Sequence, residues 1–308
     1  KSSYDRKILL KKLCDLIECA QMSRKLTLLM TLFVLVVLFG EAFEVRMVKA
    51  SGTVYILADG RIVPLTAPIS TFDNVTYTFT DNIYDSIVVE RSNIIIDGDG
   101  HTVQGTQTGD GFSLYKVSNV TIKNTIITGF SYGIYLQASN NRISENTIAN
   151  NQYGINIYSS SKNSISGNNI TTNYVCGVFL SSSSNNNIIR NSITSGDYGI
   201  RLSSSYSNSI SGNNVTENYY YGIWLSGSSY NVVSGNNITS NGCGIWFERS
   251  SKNSISRNNI TENNSDSIWL YSSSENSIDR NDITNNGNGI RLTWSSTSNT
   301  ISGNNITE

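Results

Sequence analysis

The chain has 308 residues with four cysteines, one histidine and two prolines, and its 22 basic and 23 acidic side chains leave a net charge of −1. Nine of the basic and five of the acidic residues precede residue 50, so the remainder carries 13 basic against 18 acidic groups. A mildly acidic surface without a clustered basic footprint excludes nucleic acid as a partner.

Residues 1–21 precede the first methionine, Met22, and read as upstream sequence or an extended n-region. Residues 22–50 read as a secretory signal. Arg24 and Lys25 open it, Leu26 to Gly40 form its apolar run, and Val48-Lys49-Ala50 supplies a small-residue cleavage site before Ser51. The run falls short of the ~20 residues a transmembrane helix needs. An uncleaved signal anchor is the alternative, and the only membrane attachment expected. The reading implies a secreted or cell-surface protein. Residues 51–86 lack any repeat; they combine Thr53-Val-Tyr-Ile-Leu, Asp59-Gly60, Pro64, Pro68 and Val75-Thr-Tyr-Thr-Phe-Thr. These are expected to form strands that cap the open N-terminal end of a solenoid.

From residue 87 to 308 the chain repeats. Segments beginning at Ile122, Ile143, Ile165, Ile188, Ile210, Val233, Ile255, Ile278 and Ile301 recur every 21 to 23 residues. Five residues after each mark stands another apolar residue, from Ile127 through Ile306, and a Gly-Ile-x-Leu strip follows, as in Ile223/Leu225. Units this short and polar cannot bury a core alone, and their β-branched alternation between Ser/Asn/Gly turns reads as strands. Stacking them makes each apolar position an internal column. The expected fold is all-β: a right-handed parallel β-helix, or solenoid, of roughly 22-residue coils. Glu308 falls partway through a GNNIT unit, so the natural chain is expected to continue.

Asparagine repeats in step. One column runs from Asn146 through Asn168, Asn191, Asn213, Asn236, Asn258 and Asn281 to Asn304; another runs from Asn141 through Asn208 to Asn299. Both are expected to take left-handed turn backbone and to bond along the axis as amide ladders.

Few groups suggest chemistry. His101, in Asp97-Gly98-Asp99-Gly100-His101, reads as a turn, because the further oxygen ligands of a calcium loop do not follow. Glu217 and Glu262 share a repeat position two coils apart, with Ser240 between them. Strand spacing puts them about 10 Å apart, near the upper limit for an inverting glycosidase pair. They are the only catalytic candidates. Cys176 and Cys243 fall three coils apart, about 14 Å, too far for a disulfide, and read as buried thiols. One histidine and three methionines offer no soft-ligand set, so no metal or other cofactor is expected.

The surface signal is aromatic. In Gly-Ile-x-Leu the middle residue points outward, because side chains alternate along a strand. The outward positions include Tyr135, Phe179, Arg201, Trp224, Trp246, Trp269 and Arg291. Three tryptophans thus stack on adjacent coils between arginines, with Trp294 close by. Such a stripe suits sugar rings or a protein partner, or locks coil to coil as a self-supporting stack. Asn-x-Ser/Thr acceptor sites for glycosylation stand at Asn74, Asn119, Asn169, Asn214, Asn237, Asn259, Asn263 and Asn305, most of them a by-product of the repeat wording.

The wording SGNNIT…NYYYGIWLSGSSYN resembles the repeats of the NosD-like family, within a wider group of carbohydrate-binding and sugar-hydrolysing β-helix domains. The resemblance covers about residues 87–308, and similar proteins occur on archaeal cell surfaces. It implies the β-helix fold and a polysaccharide or cell-surface glycan as partner. The namesake's part in copper-site maturation does not carry over without ligands. The expected function is a non-catalytic exported scaffold that binds carbohydrate or a surface partner through the aromatic stripe. The alternatives are a polysaccharide-acting hydrolase, lyase or epimerase on the same wall, and a passive spacer.

Overall fold

The computed structural model describes residues 52–308. The expected upstream segment and export signal lie outside them. Every regular element among the described residues is a β-strand. Each coil contributes three strands joined by three corners, as in Tyr198–Ser203, Ser209–Ser211 and Asn214–Thr216. Stacked coils assemble a long-strand sheet and a second sheet of twelve strands each, and a third sheet of ten. Neighbouring coils pair in parallel and in register, for example Ile200 on Ile223, Ile210 on Val233 and Ile193 on Val215.

The apolar columns expected from the repeat form one continuous core. Ile143 to Ile278 of the second sheet, Ile127 to Ile283 of the third and the paired Ile/Leu positions of the long sheet are all buried within it. Each such side chain removed from water contributes about 1.5–3 kcal/mol. No coil has an interior of its own, so this stabilisation exists only between coils.

At the N-terminal end the strands do more than cover the core. Val54–Ile56 and Thr76–Phe79 pair in parallel with the first coil, at Ile87–Val89 and Ile94–Asp97, and send Val54, Ile56, Tyr77 and Phe79 into it. Ile62–Val63 and Ile69–Ser70 then close the sheet edges in antiparallel pairing. The Tyr77 hydroxyl donates to the Gly60 carbonyl at 2.9 Å, tying the two parts together.

Buried ladders hold the corners. From Asn168 onward each ladder asparagine accepts, on Oδ1, the backbone N–H and side-chain amide of its counterpart one coil earlier, as Asn213 does from Asn191 at 2.9 and 3.0 Å. The expected amide ladders are thus present, but their backbone is not left-handed. The positive φ falls on the residue before each one, such as Lys162, Arg190 and Tyr230. That kink turns the following side chain inward, which is why charged and aromatic residues occupy positions that usually favour glycine. A third ladder, Asn151, Asn173, Asn218, Asn241, Asn263 and Asn286, lines the corner leading back to the long sheet. A serine column from Ser160 to Ser296 lines the first corner in the same manner.

This third corner also explains the repeat lengths. Between ladder position and long strand it holds one residue (Gln152, Asp197, Gly242, Gly287) or two (Tyr174-Val175, Tyr219-Tyr220, Asn264-Ser265) in strict alternation. Between Ile143 and Ile278 coils of 22 and 23 residues alternate accordingly; the last coil reaches 23 through an extra residue, Trp294, at the first corner.

Candidate functional site

The outer face of the long-strand sheet gathers the predicted stripe into one column. Its strands do not alternate regularly. In Tyr221–Ser226 the residues Gly222 and Ile223 are both buried, so Tyr221 and Trp224 both reach the outer face. Pairing skips the glycine. In this coil the position has no room for a side chain, because a Cβ on Gly222 would lie 2.8 Å from the Gly244 carbonyl. A second aromatic column therefore stands beside the first: Tyr132 and Tyr153, then Cys176, then Tyr198 and Tyr221. Alternation alone would have turned these tyrosines inward.

The tryptophans are half-buried and stacked on each other. Trp224 and Trp246 have ring centroids 5.0 Å apart at 13°, and Trp246 and Trp269 lie 5.4 Å apart at 21°. Arg201 sits between Phe179 and Trp224, 5.1 and 4.0 Å from their centroids, and Arg291 covers Trp269 at 5.0 Å. Arg291 also pairs with the buried Asp266 at 3.5 Å. From Phe179 to Arg291 each ring face meets another ring or a guanidinium. Of the stripe, only Tyr135 stands apart, cut off by Asn156 and packed against Tyr132 at 5.6 Å. Tyr221 braces the stack from the side, 4.5 Å from Trp246.

Open aromatic faces lie at the adjoining third corner. Tyr219 is 72% exposed, Tyr174 59% and Tyr220 46%. Tyr220 leans on Tyr198 at 5.7 Å, which joins the corner to the wall. Trp294 is also exposed, as the extra residue of the last long-strand corner, 6.0 Å from Tyr271.

Glu217 and Glu262 stand on the third corner, exposed, two coils apart and at positive φ. Glu217 accepts from Ser195 Oγ at 3.5 Å. Each immediately precedes a ladder asparagine, Asn218 or Asn263. Asn263 departs from the other glycosylation candidates. It is 2% exposed, and its amide nitrogen donates to the Ile238 and Thr261 carbonyls and to Asn286 Oδ1, which removes it as an acceptor in the folded chain. Asn214, Asn237, Asn259 and Asn305 lie on the third sheet's outer face, three of them exposed and Asn237 half-buried.

The two thiols are buried in the tyrosine column and unpaired. Burial pushes Cys176 up to about 12 from 9.0, and Tyr221 up to about 12 from 10.0. Burial also raises Cys243, with the Asp266 carboxylate adding to the effect. The folded state therefore favours the neutral forms, and the unfolded chain ionises first. Stability is expected to hold below pH 9 and to fall steadily from there towards pH 12. Thermal unfolding between pH 8 and 12 checks this: a Cys176→Ala/Cys243→Ala variant should lose less over the lower part of that range. A melting temperature unchanged up to pH 11 would overturn the account.

Two family models match the sequence: "Right handed beta helix region" over residues 69–214 and "Periplasmic copper-binding protein (NosD)" over residues 177–308. No curated protein matches it. Among solved structures, the periplasmic alginate epimerase AlgG is similar at 16% identity and a TM-score of 0.56, with 84% of each chain covered. The full-length tailspike protein 2 of an Escherichia coli O157:H7 bacteriophage is similar at 17% identity and a TM-score of 0.61, over 74% of this chain and 39% of that one. The Dettilon tailspike protein gives 18% and 0.56, over 73% and 61%. At these identities the likeness is one of fold.

Copper does not fit the residues present. Among the described residues no three His, Cys, Asp or Glu side chains converge. The thiols are three coils apart with tyrosines between them, and His101 sits in a turn outside the long sheet, its N–H on the Gly98 carbonyl.

Proposed function

The chain belongs to the right-handed parallel β-helix family, and from that premise we propose that it binds a linear glycan, without cleaving it, along its aromatic wall and the adjoining corner. The observation that carries this reading is the division of labour between the two. The Phe179–Arg291 stack is closed on itself and stiffens the wall, while Tyr174 and Tyr219 offer open rings beside it and Tyr220, stacked on Tyr198, joins the two. Aromatic faces suit the apolar faces of sugar rings, and a stiff support lowers the ordering cost of binding. The alginate epimerase among the similar structures lends support to a glycan as ligand. The word "periplasmic" in the description of the alginate epimerase, and in that of the NosD family model, supports a place outside the cytoplasm.

The reading moves the contact from the tryptophan faces to the tyrosines. Titration of the full chain with soluble polysaccharides, followed by tryptophan fluorescence and assayed for new reducing ends, is the test. A saturable change without product is expected. Tyr219→Ala should weaken binding tenfold or more, whereas Trp246→Ala should act on stability first. Turnover lost in Glu217→Gln would establish the enzyme instead, and a flat response throughout would remove the glycan.

A further inference from the structure

We infer that the third corner is a track for a neutral, linear polysaccharide read with a period of two sugars; this rests on the glycan reading above and adds the ligand's charge and phase. The two-residue corners stand out on every second coil, at Tyr174-Val175, Tyr219-Tyr220 and Asn264-Ser265. The one-residue glycine corners that follow the second and third of them are tucked in. A Cβ on Gly242 would lie 2.3 Å from the Tyr219 carbonyl and 2.6 Å from that of Tyr220, and Gly287 is overhung by Asn264 and Ser265 in the same way. In the bulge, Val175 and Cys176 both donate to the single Gln152 carbonyl, so the extra residue is pushed outward. The result is a row of ridges about 9.6 Å apart, two strand spacings, and the first two carry the exposed tyrosines.

An extended β-1,4-linked pyranose chain advances by close to one strand spacing per sugar, and successive rings are turned over. The same ring face therefore returns every second sugar, in step with the ridges. Hydrogen-bonding groups along the track, Thr172, Ser195, Ser240 and Asn264, are uncharged. Its charged groups are Asp197, Glu217 and Glu262, with no lysine or arginine between residues 172 and 287 of this corner. Arg201 and Arg291, the nearest guanidiniums, are committed to ring faces. A polyuronate would meet carboxylates without a compensating cation, so the track selects against it.

The test is binding of size-defined oligosaccharides, from two to eight residues, by the full chain. The probes are the β-1,4-linked gluco-, manno- and xylo-series and a β-1,4-linked oligomannuronate series. At least one neutral series is expected to bind, with affinity rising in steps of two sugars, each at least fivefold, and the uronates at least tenfold weaker. Tyr174→Ala should remove one step and leave the rest, and Tyr219→Ala should do the same from the other ridge. Both tyrosines are exposed, so the fold tolerates the changes. Affinity rising smoothly with each added sugar, or uronates binding more tightly, overturns the track while leaving glycan binding in place. Silence from every series overturns both.

Discussion

Replacing Asn213 with alanine is expected to destabilise the fold by roughly 3–5 kcal/mol, because it leaves buried polar groups of two coils unpaired at once. Its Oδ1 accepts from the Asn191 backbone and amide, and its Nδ2 donates to the Ile188 carbonyl at 2.8 Å and to Asn236 Oδ1 at 2.9 Å. Alanine returns none of these bonds, and Asn213 is 1% exposed, so water cannot replace them without opening the corner. Asn214, the next residue, supplies the control. It is exposed, and Asn237 donates to its Oδ1 at 2.7 Å on the outer face. Asn214→Ala should cost about 0.5 kcal/mol or less, as surface changes do. Urea denaturation of the two variants, with hydrogen exchange to locate the loss, makes the comparison. Equal shifts would mean that the ladder contributes no more than its solvent-facing counterpart.

Asparagine columns were legible because a constant offset from the isoleucine marks survives in the sequence. Asn213 is three residues after Ile210 and Asn208 two before it. The third ladder was equally legible in principle: Asn151, Asn173, Asn218, Asn241, Asn263 and Asn286 each lie eight residues after a mark. Gly196 breaks that column, and its corner changes length, so spacing counted from the following strand loses it. The missed consequence is functional, since that corner carries the exposed tyrosines. The tryptophan column could be read from alternation because Ile223, Trp224 and Leu225 obey it; Tyr221 could not, because Gly222 and Ile223 turn inward together. Whether a ring offers its face or its edge depends on side-chain torsions and on the neighbour above. The sequence places Trp224, Trp246 and Trp269 side by side in register, but only the 13° and 21° interplanar angles show that their faces are spent on one another. Left-handed backbone falls on the residue before each ladder asparagine, not on the asparagine, for a related reason. Asparagine tolerates that conformation, but a buried amide column needs its asparagines inward, which puts the kink one residue earlier.

Gly199→Ala is expected to be at least as damaging as the ladder change, costing about 3 kcal/mol or more by overpacking. A Cβ there would lie 2.6 Å from the Gly222 carbonyl, 2.6 Å from Val215 Cγ1 and 2.9 Å from Asn218 Nδ2. The carbonyl belongs to the next coil, whose distance is set by Tyr198 pairing with Tyr221 on one side and Ile200 with Ile223 on the other. Relief therefore requires parting two coils over several strand bonds. Gly212→Ala separates this effect from loss of glycine's backbone freedom. Gly212 has φ 64°, and its nearest contact would be Arg190 Cγ at 3.6 Å, in a column where Arg190, Arg257 and Arg280 already adopt the same backbone. That variant should lose about 1 kcal/mol. Ser267 shows what the packed column demands of a side chain: it takes the glycine position of its coil, and its Oγ donates to the Asn288 carbonyl at 2.8 Å. An alanine methyl can make no such bond. Because each coil touches only its neighbours, the damage in Gly199→Ala should stay local. Hydrogen exchange should quicken in the coils around residues 177–222 and stay slow in those before residue 150. Uniform quickening along the chain would mean that the coils melt as one unit, and equal effects of the two alanines would show that the close approach is not what the glycine serves.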